Sequence, residues 1–302
     1  MVRQEQHQHR MDGPWILEAV PLMVVGLITA HVVALVYWIY SDNNTVNDHV
    51  AGEEVKSTSF HKSRFRIPAN GSGFSSAGAT WYGGPNGAGS DGGACGYGNA
   101  VGRSPFSSMI SAGGPSLFKS GKGCGSCYQV KCTAHSSCSG KPVTVVITDE
   151  CAGCVSESTH FDLSGTAFGA MAISGQEQQL RNAGVLQIEY QRVDCNYPGT
   201  NIVFKVDAGS NPHYFSTLVE YEEGNSDIAS IDLQDSSASA NYWRPMQQLW
   251  GAVWKLDSDS ALTGPLSLRL KSSTGEIVVA LNVIPAGWGS GATYRSTVNF
   301  NE

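Results

Sequence analysis

From residue 76 onward the chain is a succession of short apolar runs broken by Gly and polar turns. The clearest alternation is Leu186-Gln187-Ile188-Glu189-Tyr190-Gln191-Arg192-Val193, the period of a strand with one buried face. Residues 128–132 and the apolar run 143–147 read as further strands, the latter buried. Two short helices interrupt this pattern. One follows Ser164, a suitable N-cap, through Phe168 and Met171; the other covers 177–183 and stops at Gly184. Many strands with few helices predict a small closed β-barrel with helical insertions. From about residue 200 the runs 201–206, 214–221, 228–233, 252–256, 266–271 and 276–284 are separated by turns such as Glu223-Gly224-Asn225 and Ser273-Thr274-Gly275. Strands at this spacing predict an antiparallel sandwich of about 100 residues, which makes the chain all-β.

The N-terminal region has a different pattern. Residues 1–18 are polar and carry Arg3 and Arg10, whereas residues 19–40 contain no Asp, Glu, Lys or Arg. Such a stretch engages the translocon, and at about 1.5 Å per residue it is long enough to span a bilayer. Residues 1–40 are therefore read as a signal peptide or an uncleaved signal anchor, the latter implying membrane association. Residues 41–75 read as a polar linker or pro-region, 76–198 as the barrel domain and 199–302 as the sandwich domain. The sequons Asn43-Asn44-Thr45 and Asn70-Gly71-Ser72 make Asn43 and Asn70 candidate glycosylation sites, which fits a secreted, extracellular chain.

Composition narrows the classes of function. With 35 Gly and only 15% charged residues, short strands and turns are favoured over long helices. A net charge of -7, without Lys/Arg runs interleaved with aromatics, argues against a nucleic-acid partner. All eight cysteines lie between positions 95 and 195. An even number in a Gly-rich region behind an apolar segment favours disulfides formed in an oxidising compartment. Cys124-Gly125-Ser126-Cys127 and Cys151-Ala152-Gly153-Cys154 also have the spacing of zinc ligands, the alternative reading.

The candidate chemistry concentrates in Thr148-Asp149-Glu150-Cys151 and His160-Phe161-Asp162-Leu163-Ser164-Gly165. Two carboxylates flanking a Cys-pinned loop and a His, with Thr80 and Tyr82 as hydroxyls, are what acid-assisted glycoside cleavage requires. The plainer reading is that Asp149 caps a turn and Asp162 N-caps the helix near Ser164. In the second region Tyr214, Trp243, Trp250 and Trp254 are aromatic candidates for stacking on the flat C–H faces of sugars. If residues 249–254 form one strand, Trp250 and Trp254 share a face unless it twists or bulges.

Taken together, Ala79-Thr80-Trp81-Tyr82-Gly83, Gly92-Gly93-Ala94-Cys95-Gly96-Tyr97, Lys122-Gly123-Cys124-Gly125-Ser126-Cys127-Tyr128, the two segments above and Trp250-Gly251-Ala252-Val253-Trp254 resemble the plant β-expansins. The resemblance covers roughly residues 75–300, and several motifs in the same order make it specific. It implies a six-stranded double-psi β-barrel, related to family-45 endoglucanases, followed by an immunoglobulin-like β-sandwich that binds cellulose. It places Thr80, Trp81, Tyr82, Asp91, Asp149, His160 and Asp162 in the barrel groove, with Asp162 matching the general acid of the related hydrolases. Tyr214, Trp250 and Lys255 fall on the polysaccharide-binding platform. The family's disulfides pair Cys95 with Cys124, Cys127 with Cys195 and Cys132 with Cys138, leaving Cys151 for Cys154.

In the related hydrolases the catalytic base is an Asp just after the Thr-x-Tyr segment, where this chain has Gly83-Gly84. Without a carboxylate to activate water, the acid alone cannot complete inversion, and Asp91 is the nearest substitute. The expectation is non-hydrolytic loosening of the cell wall by a monomer that takes no cofactor or metal. Its partners would be cellulose and matrix polysaccharides such as xylan or other glucans. An endoglucanase with a binding module and a passive wall carbohydrate-binding protein are the alternatives.

Overall fold

The computed structural model describes residues 73–300 apart from 155–157, 226 and 238–241; the N-terminal apolar segment and both sequons lie outside the described residues. Among the described residues no helix is long and apolar enough to cross a membrane.

Six strands close into a barrel: β1 (Ser75–Tyr82), β2 (Ile110–Gly113), β3 (Cys127–Cys132), β4 (Val143–Glu150), β5 (His160–Ser164) and β6 (Leu186–Val193). Their order is β1-β5-β2-β4-β3-β6, with β1–β5 and β2–β4 parallel and the remaining pairs antiparallel. Ala79, Val130, Val145, Ile147, Phe161 and Leu163 fill its interior. β6 and β4 are the strands with the strongest apolar pattern. β2 and β5 have four and five residues and no clear alternation, so neither is among the strands read from the sequence, yet residues 160–164 pair with both β1 and β2. Helices α1 (Pro115–Phe118), α2 (Gly165–Ala170) and α3 (Glu177–Asn182) are one or two turns each. α1 is absent from the sequence reading because Pro115 at N1 is its sole start signal.

All eight cysteines are in disulfides: Cys95–Cys124, Cys127–Cys195, Cys132–Cys138 and Cys151–Cys154. The thiolates that the zinc reading requires are therefore bonded to one another.

Beyond the barrel lie two antiparallel sheets. One has the order β10-β9-β13-β14 and the other β11-β12-β8-β7-β15. Their strands are β7 (Val203–Val206), β8 (Tyr214–Glu220), β9 (Ile228–Asp235), β10 (Arg244–Pro245), β11 (Gln247–Trp250), β12 (Val253–Asp257), β13 (Leu266–Ser272), β14 (Ile277–Ile284) and β15 (Thr293–Arg295). Phe204, Phe215, Ile231, Trp254, Leu268 and Ile284 pack between the sheets. Residues 249–254 are not one strand. The chain reverses at Gly251, whose φ of 49 and lack of Cβ are both required, because a Cβ there would lie 2.3 Å from the Ala94 carbonyl oxygen. The hairpin separates the two tryptophans: Trp250 is 50% exposed and Trp254 only 6%.

A third cluster joins barrel to sandwich. Tyr97, Phe106, Ile110 and Phe118 pack against Leu218, Ala252 and Val253, and Ala252 N–H donates to the Cys95 carbonyl at 3.0 Å. Asp227 receives Lys119 at 2.9 Å and Arg192 at 2.8 Å. Glu222 is buried in this seam with Oε2 unpartnered among the described residues, and burial is the main cause that pushes its carboxyl up to about 8.

Candidate functional site

Parallel pairing of β1 with β5 sets Gly78 opposite His160 and Thr80 opposite Asp162. Because side chains alternate along a strand, Thr80, His160 and Asp162 emerge on the same side of the barrel wall. Gly78 makes room for the imidazole, since a Cβ there would be 2.6 Å from His160 Nδ1. The Thr80 hydroxyl donates to Asp162 Oδ1 at 2.6 Å and lies 3.0 Å from His160 Nε2. A hydroxyl has one proton, so with that proton on Asp162 the His160 Nε2–H is the donor to Thr80. Burial lowers the His160 pKa, partly opposed by the Asp162 charge, and favours the neutral ring this relay uses.

Asp162 is not a helix cap. Ser164 caps α2, accepting from Ala167 N–H at 3.0 Å, because β5 carries the chain two residues beyond Asp162 before the helix begins. Asp149, by contrast, has a capping role: its Oδ1 accepts from Ala94 N–H at 2.6 Å and Glu150 N–H at 2.8 Å, pinning the loop that leads to Cys95. Tyr82 lies within reach of both carboxylates. Burial first, then the Asp149 and Asp162 charges, hold its phenol well above the ordinary range.

The structure turns one further groove candidate, Trp81, away from these residues and leaves another, Asp91, exposed. Trp81 alternates to the opposite side of β1, packs against the barrel core and donates its Nε1–H to the Arg181 carbonyl at 3.0 Å. Asp91 is exposed in a turn and makes no hydrogen bond or ion pair among the described residues.

Gly83 and Gly84 behave differently. Gly83 has φ 73, and a Cβ there would fall 2.5 Å from the Gly89 carbonyl oxygen; around Gly84 nothing lies within 4 Å. Gly83→Asp is therefore expected to lower the melting temperature by roughly 3–8 °C, from about 1–3 kcal/mol of strain. Gly84→Asp should stay close to wild type. Equal melting temperatures in thermal denaturation would show that the turn yields and that sterics do not exclude a carboxylate at position 83.

On the sandwich, Tyr214, Lys255 and Trp250 share the outer face of the five-stranded sheet, because Phe215, Trp254 and Leu256 alternate inward. Lys255 Nζ is 2.8 Å from Asp257 and 6.0 Å from the Tyr214 ring centre, so it stands beside Tyr214. Trp250 lies over the barrel's Gly96, where a Cβ would be 2.9 Å from the indole. A cleft of about 350 Å³ at that point is lined by Gly96, Lys205, Asp207, Leu218, Trp250 and Val253. Lys205 is missing from the sequence reading; its signal is the lone charge in the apolar strand Val203-Phe204-Lys205-Val206.

Barrel, cleft and aromatic sheet together define a double-psi-barrel protein with an appended β-sandwich. Family models agree: the expansin C-terminal domain matches residues 202–285, and a double-psi-barrel model described as lytic transglycolase matches 110–190. The putative expansin-B2 of Arabidopsis thaliana is 62% identical over 245 residues, covering 80% of this chain and 89% of the relative. Expansin-B11 of Oryza sativa subsp. japonica is 57% identical over 233 residues, covering 76% and 79%. Crystal structures of a Clavibacter michiganensis expansin, apo and as a mutant in complex with cellohexaose, share the fold at a TM-score of 0.57 and 23% identity. They cover 76% of this chain and 98% of that one. The chain belongs to the plant β-expansin family.

Proposed function

We propose that this β-expansin loosens plant cell walls by disrupting non-covalent contacts between cellulose and matrix polysaccharides, without cutting glycosidic bonds. The observation that carries the reading is the different engagement of the two carboxylates, Asp149 and Asp162. Asp162 presents Oδ2 beside the Thr80–His160 relay, while Asp149 is occupied by backbone N–H groups and the place of a base is taken by Gly83, packed on Gly89. Inversion requires a second carboxylate about 6.5–9.5 Å away with a water between the two. Such a groove grips a glycan without activating water.

The platform of Tyr214, Trp250 and Lys255 supplies docking, with apolar ring faces for sugar C–H surfaces and a cation at the rim. The cellohexaose complex of the bacterial relative supports cellulose as the ligand here. Trp250 resting on Gly96 joins platform to barrel, so one extended polymer can lie across both. On this reading residues 76–198 prise, residues 199–302 hold, and the site of action is the extracellular wall.

Heat-killed wall strips under constant load, assayed in acidic buffer with purified protein, should extend while no reducing ends appear. Reducing sugar released by wild type and lost in Asp162→Asn would establish an endoglucanase instead. Cellulose binding without extension would establish a passive wall protein.

A further inference from the structure

Of the four disulfides, Cys151–Cys154 stands apart from the hydrophobic cores. Cys95, Cys124, Cys127 and Cys195 are buried in the seam cluster, and Cys132 and Cys138 pack in the barrel core, whereas Cys151 and Cys154 are half-buried and belong to neither. Ala152 and Gly153 between them are exposed, and nothing lies within 4 Å of where a Cβ on Gly153 would stand, so a reductant has open approach. The bridge spans a sequence separation of 3, against 6, 29 and 68 for the others, so it restricts the unfolded chain least and its opening weakens the fold least. It also sits at one end of the groove. Cys151 directly follows β4, which carries Asp149, and its N–H donates to the Gly113 carbonyl at 2.9 Å. Gly114 N–H in turn donates to the carbonyl of His160, the first residue of β5, at 2.9 Å. A Cβ on Gly114 would lie 3.3 Å from that carbonyl oxygen and 3.4 Å from Cys154 Cβ, so the bridge packs on the two glycines that hold the start of β5.

Exposed disulfides are the labile ones, and buried structural bridges resist reduction. We propose that Cys151–Cys154 is a redox modification site whose reductant is a dithiol, and that its opening loosens the His160 end of the groove while the other three bridges persist. One thiolate of the reductant attacks a bridge sulfur, the Cys151–Cys154 bond breaks as a mixed disulfide forms, and the displaced cysteine takes up a proton. The second thiol of the reductant then attacks the mixed disulfide, releasing the other cysteine as a thiol and leaving the reductant as an internal disulfide. Two electrons and two protons pass to the protein, and the oxidised form of the same couple reverses the step. A monothiol lacks that second, intramolecular displacement, which is why a dithiol is the class that fits. The site itself does not depend on what the groove binds; only its effect on wall extension rests on the wall-loosening reading above.

The probe is dithiothreitol in graded amounts on the intact oxidised protein near neutral pH, followed by iodoacetamide and peptide mass mapping. Cys151 and Cys154 should reach half-labelling at about tenfold less dithiothreitol than any other cysteine, and oxidised dithiothreitol should restore the bridge. In the reduced protein, amide hydrogen exchange at Cys151 and Gly114 should speed up about tenfold while the β6 amides stay unchanged. The double substitution Cys151→Ser and Cys154→Ser should show the faster exchange without reductant and no further response to it. It should also extend wall strips about threefold more slowly than wild type, the effect of one weakened neutral hydrogen bond at the groove. Labelling of a core cysteine first, or of all eight together as the fold melts, would overturn the site. Unchanged exchange at Gly114 after reduction, or wall extension by the double variant at the wild-type rate, would overturn its link to the groove. Selective labelling in a protein that extends no wall in either state would leave the redox site standing and remove the wall-loosening reading.

Discussion

Asp162→Asn is expected to slow the creep of wall strips about tenfold or more while keeping the protein folded. Among the described residues only Oδ1 of Asp162 is engaged, by the Thr80 hydroxyl at 2.6 Å, and Oδ2 is left for the polysaccharide. A hydrogen bond to a charged group contributes about 1.5–3 kcal/mol, a factor of roughly 10–100 in the strength of the grip. The amide oxygen of Asn can still accept from Thr80, so the β1–β5 pairing and the His160 position should survive. The melting temperature should move by no more than about 4 °C. Creep at the wild-type rate would remove Asp162 from the mechanism and leave the sandwich platform as the working surface.

Glu222→Gln is expected to remove most of a loss of stability that wild type suffers between acid and neutral pH. Burial raises the Glu222 carboxyl from the ordinary 4.5 to about 8, so the folded state holds a proton that the unfolded chain releases. For a pKa raised on folding, the stability is fully present below about 4.5 and is lost as pH rises through about 8. Each pH unit in that window is about 1.4 kcal/mol, so the whole amounts to a few kcal/mol and roughly 10 °C in melting temperature. Tyr97, Tyr197, Tyr221, Glu220 and Asp227 face or surround the group, and no cation is among the causes acting on it; Lys119 and Arg192 are committed to Asp227. Glu220 is raised by burial and acts with the same sign, whereas His160 and Asp227 have lowered pKa values and lose stability as pH falls, so the difference between variant and wild type reports Glu222. Parallel melting curves at pH 5 and 8 for both proteins would sink the prediction. Since the seam joins barrel to sandwich, its stability in acid coincides with the condition in which wall loosening is expected.

Much of this was legible in the residues themselves. The alternation of 186–193 and 266–271 marks real strands, β6 and β13, because each has one face on a core. The segment around His160 and Asp162 was legible as chemistry and illegible as structure. Five residues containing a His, an Asp and a Ser do not look like a barrel strand, and β5 exists because β1 and β2 pair with it from either side. Asp149 and Asp162 looked equivalent as a carboxylate pair; only the loop at Ala94 shows that one is a cap and the other is available.

By itself the sequence determined the all-β class, the two successive patterns of short strands, the cysteine-rich first half and the residue types needed to grip a glycan. These follow from periodicity and composition, which are local properties. The tertiary structure decided which of those residues meet. Register placed Thr80 between His160 and Asp162, strand alternation turned Trp81 away, and the reversal at Gly251 exposed Trp250 while burying Trp254. Each outcome depends on a partner about 80 to 160 residues away in the chain, and no local pattern encodes which partner that is.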